Sequence, residues 1–208
     1  MHMFDGLTGL GIGVLLGSIL VSMVIHEFMH AWTAHYLGDS TAHDEGLLTL
    51  NPLAHIDMFA TVLLPVALIA LGLPPFFIAK PVPFRPDLVR YGEFGAALVG
   101  VAGPLTNLVL AVIGSIVFHI VAPASVLSDI AVMFVQVNVA FFVFNMIPWP
   151  PLDGSRLLFA VAPRGVQQVM MQIESLGLAS IFIFMSLYFF IFAEPVYNIM
   201  QAITNWLV

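Results

Sequence analysis

The chain has 208 residues, is 61% hydrophobic and carries only 8% charged residues, against roughly 25% in a soluble domain, so it reads as a polytopic membrane protein. Five Lys and Arg stand against twelve Asp and Glu, with no basic patch that would suit nucleic acid. Cysteine is absent, which excludes disulfides and thiolate metal sites, and the length suits one domain of a few spans.

Leu7 to Leu37 is long enough to span a bilayer with tilt, about 45 Å at 1.5 Å per residue. Its front end lacks the Lys or Arg of a signal peptide, so it reads as a retained helix. Gly9, Gly13 and Gly17 form a small-residue stripe that would permit close helix packing. Gly38-Asp39 is a helix stop, and residues 39–57 are polar, with Asn51-Pro52 as a turn. Met58 to Leu71 is apolar but short, is interrupted by Pro65 and is broken by Gly72-Leu73-Pro74-Pro75, which predicts a re-entrant segment. Phe76 to Pro86 has prolines among alternating apolar residues and reads as extended chain. Phe94 to Val121 and Ser128 to Ile147 are spans, and 153–172 is amphipathic. Leu176 to Phe192 is a last span, and Pro195 to Val208 reads as an interfacial tail with Tyr197 and Trp206 as anchors.

The chemistry concentrates at His26-Glu27-Phe28-Met29-His30. Histidines four apart share a helical face, and the adjacent glutamate can reach a water on a metal. This is the H-E-x-x-H arrangement, two zinc ligands and a general base. It follows a run without charge, where ionisable groups are costly and mark function. A catalytic zinc needs a third protein ligand. His35 is nine residues on from His26, about 180° around the helix, and points away. His43, Asp44, Glu45, His55 and Asp57 are conceivable but suit solvated loop and cap roles, and His119 suits packing. Asp153, in Pro150-Pro151-Leu152-Asp153-Gly154, is the strongest candidate, with helix N-capping as its competing role. It reaches the histidines only if residues 58–78 do not cross the membrane, so the parity of the spans also asks for re-entrance. The five basic residues, Lys80, Arg85, Arg90, Arg156 and Arg164, then share one side, which is cytoplasmic by the positive-inside rule.

These motifs, with Asn51-Pro52-Leu53-Ala54-His55-Ile56-Asp57, Ala79-Lys80-Pro81-Val82-Pro83, Ala102-Gly103-Pro104-Leu105-Thr106-Asn107 and Asn145-Met146-Ile147-Pro148, resemble those of the site-2 protease family of intramembrane zinc metalloproteases. The chain looks closest to short prokaryotic members without PDZ or CBS domains. The resemblance implies one zinc per chain on His26, His30 and Asp153, Glu27 as base, and Asn145 in contact with the substrate backbone or transition state. It places Asn107 near the site; hydrogen bonding between helices is an equal reading of Asn107 and the lesser one of Asn145. It implies a substrate that is a transmembrane protein or peptide, cleaved in regulated intramembrane proteolysis or signal-peptide removal. Location would be the inner or plasma membrane of a prokaryote, with the lipid bilayer as surroundings and the site toward the cytoplasm.

The expected architecture is all-α. It has about four transmembrane helices, a re-entrant segment and a short extended β segment near the site, in one domain over 1–208 with a C-terminal helix and tail at 173–208. Phe77 and Ile78 would offer a strand edge to the substrate. A cation pathway and a catalytically silent helix-binding relative are the competing functions. The intact Glu27 argues against the second, and the lack of an internal repeat against the first.

Overall fold

The computed structural model describes residues 9–70 and 80–208. Helix α1 is Gly9–Tyr36, and a single turn, α2, follows at Thr41–Asp44. A 3-10 turn at Pro52–His55 is capped by Asn51, whose side chain accepts from the Leu53 N–H at 3.1 Å. A widened π turn, Met58–Leu63, runs into α3, Leu64–Ala70. The long helices α4, Glu93–Ile120, and α5, Val126–Asn145, come next. The Ser125 hydroxyl caps α5 by accepting from the Ser128 N–H. Two short helices follow, α6 at Gly154–Val161 and α7 at Arg164–Ser175. Helix α8, Leu178–Leu187, continues through a π turn, Tyr188–Phe192, into α9, Ala193–Leu207.

Among the described residues four helices are long and apolar enough to cross a membrane: Gly9–Tyr36, Glu93–Ile120, Val126–Asn145 and Ala179–Leu207. The protein is therefore an all-α, multi-pass chain, as composition demands. The fourth differs from the expectation. Pro195 to Val208 is the second half of the last span, and Val196 and Leu207 pack into the core with Ala111, Val135, Val139 and Val143. Proline lacks an N–H and crowds the preceding turn, and the widened turn at 188–192 lies directly before Pro195. It absorbs the irregularity without ending the helix.

Met58 to Ala70 would rise only about 20 Å, short of a bilayer core of about 30 Å. No strand occurs among the described residues. Of the expected extended segment, Phe77 and Ile78 lie outside the described residues, and Lys80 to Arg85 is irregular.

Helix α4 is the centre of the bundle, packing against α1, α5, α6 and α9. Its buried face is built from small residues, including Gly95, Ala96, Ala97, Gly100, Gly103, Ala111 and Gly114, so neighbouring backbones approach closely. The stripe Gly9, Gly13 and Gly17 is not used this way, since a side chain at any of them would meet open space. Helix α1 instead buries Ser18, Ser22, Met23, His26, His30, Ala31 and Ala34.

One loop carboxylate ties the polar end together. Gly38, at φ 111°, ends α1. The next residue, Asp39, is fully buried. Its Oδ1 accepts from the Thr41 N–H at 2.9 Å and from the Thr41 hydroxyl, and its Oδ2 accepts from the Arg85 N–H, 46 residues away. The Arg90 N–H adds a bond to the Leu37 carbonyl at 2.9 Å. Arg156 pairs with Glu174 and lies over the Phe84 ring, which joins α6 and α7 to the same segment.

Burial alone would raise the Asp39 carboxyl, but the Thr41 hydroxyl and the two backbone N–H groups outweigh it and hold it below the ordinary carboxylate range. Its contribution is complete above the unfolded value of about 3.9 and is lost as pH falls through the lower folded value. Asp39→Ala leaves buried N–H groups unsatisfied. It should cost about 1–3 kcal/mol of stability at neutral pH, read as a lowered melting temperature in detergent. An unchanged melting temperature would contradict this role.

Candidate metal centre

Three side chains from distant parts of the chain converge inside the bundle. His26 and His30 lie one turn apart on the buried face of α1, 4% and 8% exposed. Asp153 arrives from the loop that joins α5 to α6. The Nε2 atoms of the two histidines are 3.0 Å apart, and the Asp153 Oδ2 is 3.1 Å from His26 Nε2 and 3.3 Å from His30 Nε2. These separations approach the roughly 3.3 Å between tetrahedral donors that each lie about 2.0–2.1 Å from a zinc.

The outer hydrogen bonds fix what the three atoms present. His30 Nδ1–H donates to the Val99 carbonyl at 2.7 Å, and His26 Nδ1–H donates to Asn107 Oδ1 at 2.6 Å. With protons on both Nδ1 atoms, both Nε2 atoms carry lone pairs. Two lone pairs and a carboxylate oxygen then face one another in a buried space, an arrangement that repels itself unless a cation lies between them. This is the outer-sphere arrangement that orients histidine ligands toward a metal, and the residues present fit zinc.

Helix α4 makes the space. A Cβ on Gly103 would lie 2.4 Å from His30 Nε2 and 2.7 Å from His26 Nε2, in the region where the donors converge. A Cβ on Gly154 would lie 2.4 Å from the Met146 carbonyl oxygen, so glycine is required for the chain to turn tightly beyond the end of α5. Asp153 occupies the N-cap position of α6, yet its side chain makes no capping bond. Its carboxylate is turned to the histidines.

Glu27 follows His26 on α1, and among the described residues its carboxylate makes no hydrogen bond or ion pair. Asn107 is fully buried. Its amide donates to Asn138 Oδ1 at 2.9 Å and to the Ser22 carbonyl at 3.4 Å, so its polar atoms serve the bundle and His26. Asn145 is partly buried in the last turn of α5, and its amide donates to the Phe141 carbonyl at 3.0 Å. Sequence reasoning passed over Asn138. It is fully buried, and its own amide donates to the Phe134 carbonyl. The available signal was its spacing of two turns before Asn145 within an apolar span.

The other candidates stand apart. His35 is exposed and stacks on His43, with ring centroids 5.0 Å apart. His43 faces Asp44 at 3.1 Å in solvent. His119 Nδ1 bonds to the Ser115 carbonyl, the Asp57 carboxylate caps the Phe59 N–H, and Glu45 is exposed. His55 is fully buried on its own loop.

Known proteins resemble the chain over much of its length. A Bacillus subtilis protein described as "Putative zinc metalloprotease YwhC" is 37% identical over 172 residues, covering 78% of this chain and 75% of that protein. Rip2 of Mycolicibacterium smegmatis, under the same description, is 37% identical over 145 residues, 68% of this chain and 54% of its own. MJ0611 of Methanocaldococcus jannaschii, again so described, is 32% identical over 138 residues, 65% of this chain and 63% of its own. The chain thus spans three quarters of the first relative and about half of Rip2. No family model matches the chain, and no solved structure matches it. The chain belongs to the site-2 protease family.

Asn107→Ala should weaken zinc binding by about 10–100-fold, measured by competition with a chelator, because His26 loses the acceptor that holds its ring. Gly103→Ala should lower zinc content while the helical content persists. Full zinc affinity in both variants would contradict the account of α4 as the support of this centre.

Proposed function

We propose that the protein is a zinc-dependent endopeptidase that hydrolyses peptide bonds within or near the transmembrane segments of membrane-protein substrates. The observation that carries this reading is Glu27, a carboxylate without a hydrogen bond among the described residues, beside the closed set His26, His30 and Asp153. These three would hold the ion. Zinc, when bound there, supplies Lewis-acid polarisation and lowers the pKa of water.

The chain's own residues do the rest. Glu27 accepts a proton from water as the water oxygen adds to the scissile carbonyl carbon, and returns that proton to the departing amide nitrogen. Asn145 uses one amide hydrogen on Phe141. Its second hydrogen is available to the carbonyl oxygen as charge develops there. Asn107 and the Val99 carbonyl keep the two imidazoles in the tautomer that presents Nε2.

A transmembrane helix hides its amides in internal hydrogen bonds, so the substrate must unwind locally. The segment after the undescribed residues suits an unwound chain. Val82 and Phe84 keep backbone N–H groups without partners among the described residues, which supports pairing with an extended substrate. In this reading Met58 to Ala70, the described part of the expected re-entrant segment 58–78, does not cross the membrane, and Asp153 and α1 meet toward the cytoplasmic side with the basic residues.

Glu27→Gln in purified, zinc-loaded protein with a model transmembrane substrate tests the proposal. Cleavage should fall below detection while zinc content is unchanged. Cleavage that persists would overturn it.

A further inference from the structure

Among the described residues the glycine stripe at the front of α1 has no partner, and a side chain at Gly9, Gly13 or Gly17 would meet open space. Gly17 borders a groove of about 250 Å³ between α1 and α5, lined also by Val14, Ser18, Val21, Ile130 and Phe134. Ser18 is 7% exposed, and among the described residues its hydroxyl makes no hydrogen bond. A hydroxyl in a helix can bond to the carbonyl four residues back, as Thr106 does to Ala102 and Ser186 to Phe182. Ser18 instead lines the groove with its hydroxyl unpaired.

The groove is continuous with the metal centre. Gly13, Gly17, Leu20, Val24, Glu27 and Ala31 follow one another at intervals of four and three, so they lie along one side of α1. The front of this side is open, with Leu20 38% exposed, and it is covered at Val24, 6% exposed. Ala31, further on, belongs to the buried cluster against which Val82 packs. The wall on α5 behaves alike. Ile130, Phe134, Asn138, Phe141 and Asn145 repeat at the same intervals, and the Phe141 ring centroid is 6.1 Å from that of His26. The two helices therefore run in the same direction, and a chain lying in the groove points along α1 toward Glu27.

Within a membrane the occupant is either lipid or protein. An acyl chain has no group to pair with the Ser18 hydroxyl and no use for glycine spacing, whereas a helix packs closely on small residues and brings carbonyls and hydroxyls. A second copy of this chain would meet the same demands; the course of the groove toward Glu27 favours a helix that has to reach the metal centre. We propose that the groove between α1 and α5 is the docking site for the helical part of the substrate's transmembrane segment, seated on Gly13 and Gly17 with a hydrogen bond to Ser18. The proposal rests on the peptidase reading and deepens it. The substrate stays helical along the open half of α1 and unwinds where that side becomes covered, between Leu20 and Glu27. Gly17 to Glu27 is about 15 Å at 1.5 Å per residue. About five extended or about ten helical residues therefore separate the docked residue from the scissile bond.

Gly17→Leu occupies the groove while its Cβ meets nothing in the protein, so zinc content and melting temperature should be those of the wild type. For a model substrate with an apolar helix of about 20 residues, it should raise KM about tenfold with kcat unchanged, because a seating contact is the same in the ground and transition states. Ser18→Ala should raise KM about threefold, the loss of one hydrogen bond between helices. Gly9→Leu, outside the groove, should leave KM unaltered. A wild-type KM in Gly17→Leu would overturn the proposal.

Contact can be read without catalysis, since the chain has no cysteine of its own. In zinc-loaded Glu27→Gln, which holds substrate uncleaved, Gly17→Cys should form a disulfide under mild oxidation with the same model substrate carrying one cysteine. Reactive substrate positions should recur every three to four residues and lie about five to ten residues from the scissile bond. Ile12→Cys, exposed on the far side of α1 from the groove, should not react. Equal crosslinking from Ile12→Cys, or crosslinks between two copies of this chain in place of substrate, would overturn the proposal. Periodic crosslinks from Gly17→Cys, beside a wild-type protein that cleaves nothing, would leave the docking site standing and count against the peptidase reading.

Discussion

The His26 and His30 rings are each pinned at Nδ1 by helix α4, and the rest of the site depends on that. Val99 offers its carbonyl to His30 and Asn107 its side-chain oxygen to His26. Between them, Gly103 leaves the volume in which the two Nε2 atoms meet. Positions 99, 103 and 107 recur at intervals of four, so a single helical face supplies two acceptors and a gap. Asp153 is brought to the same face, its backbone oxygen close to Gly100. A ring free to rotate would present N–H or lone pair at random. Pinned by its outer nitrogen, it can present only the lone pair.

Such a centre is expensive in an apolar bundle, and the costs are contained by local satisfaction. Asn107 and Asn138 are fully buried yet satisfy one another and the backbone. Asp39 consumes three donors at the polar end and joins the end of α1 to the segment that enters α4. Against this background the few buried polar atoms left without partners among the described residues, in Ser22, His55 and Trp149, are conspicuous. In native structures such groups are rare enough to call for a reason.

Much of this was legible in the sequence because the relevant rules are stiff. The spacing of His26 and His30 puts them on one face by helix geometry alone, and the same geometry turns His35 outward. Asp153 was legible from the direction of the spans and from the glycine beside it. Other features were not, for identifiable reasons. Pro195 reads as a stop, but the widened turn before it carries the helix on to Leu207. The stripe Gly9, Gly13 and Gly17 has the spacing of a packing face, yet closer packing was available on α4, whose small residues are buried. Asp39 sits beside a glycine stop and resembles part of it, while its decisive partner, Arg85, is 46 residues away. Asn138 is one of several polar residues in the spans, and only the fold pairs it with Asn107.

The account stands on the claim that His26, His30 and Asp153 together hold one metal. X-ray absorption at the zinc edge, on purified protein with its metal content measured, tests this most directly. One zinc per chain is expected, with two imidazole nitrogens and a carboxylate oxygen at about 2.0–2.2 Å and with the oxygen contribution reduced in Asp153→Ala. A shell with three or more imidazoles, or a spectrum that Asp153→Ala leaves unchanged, would contradict it.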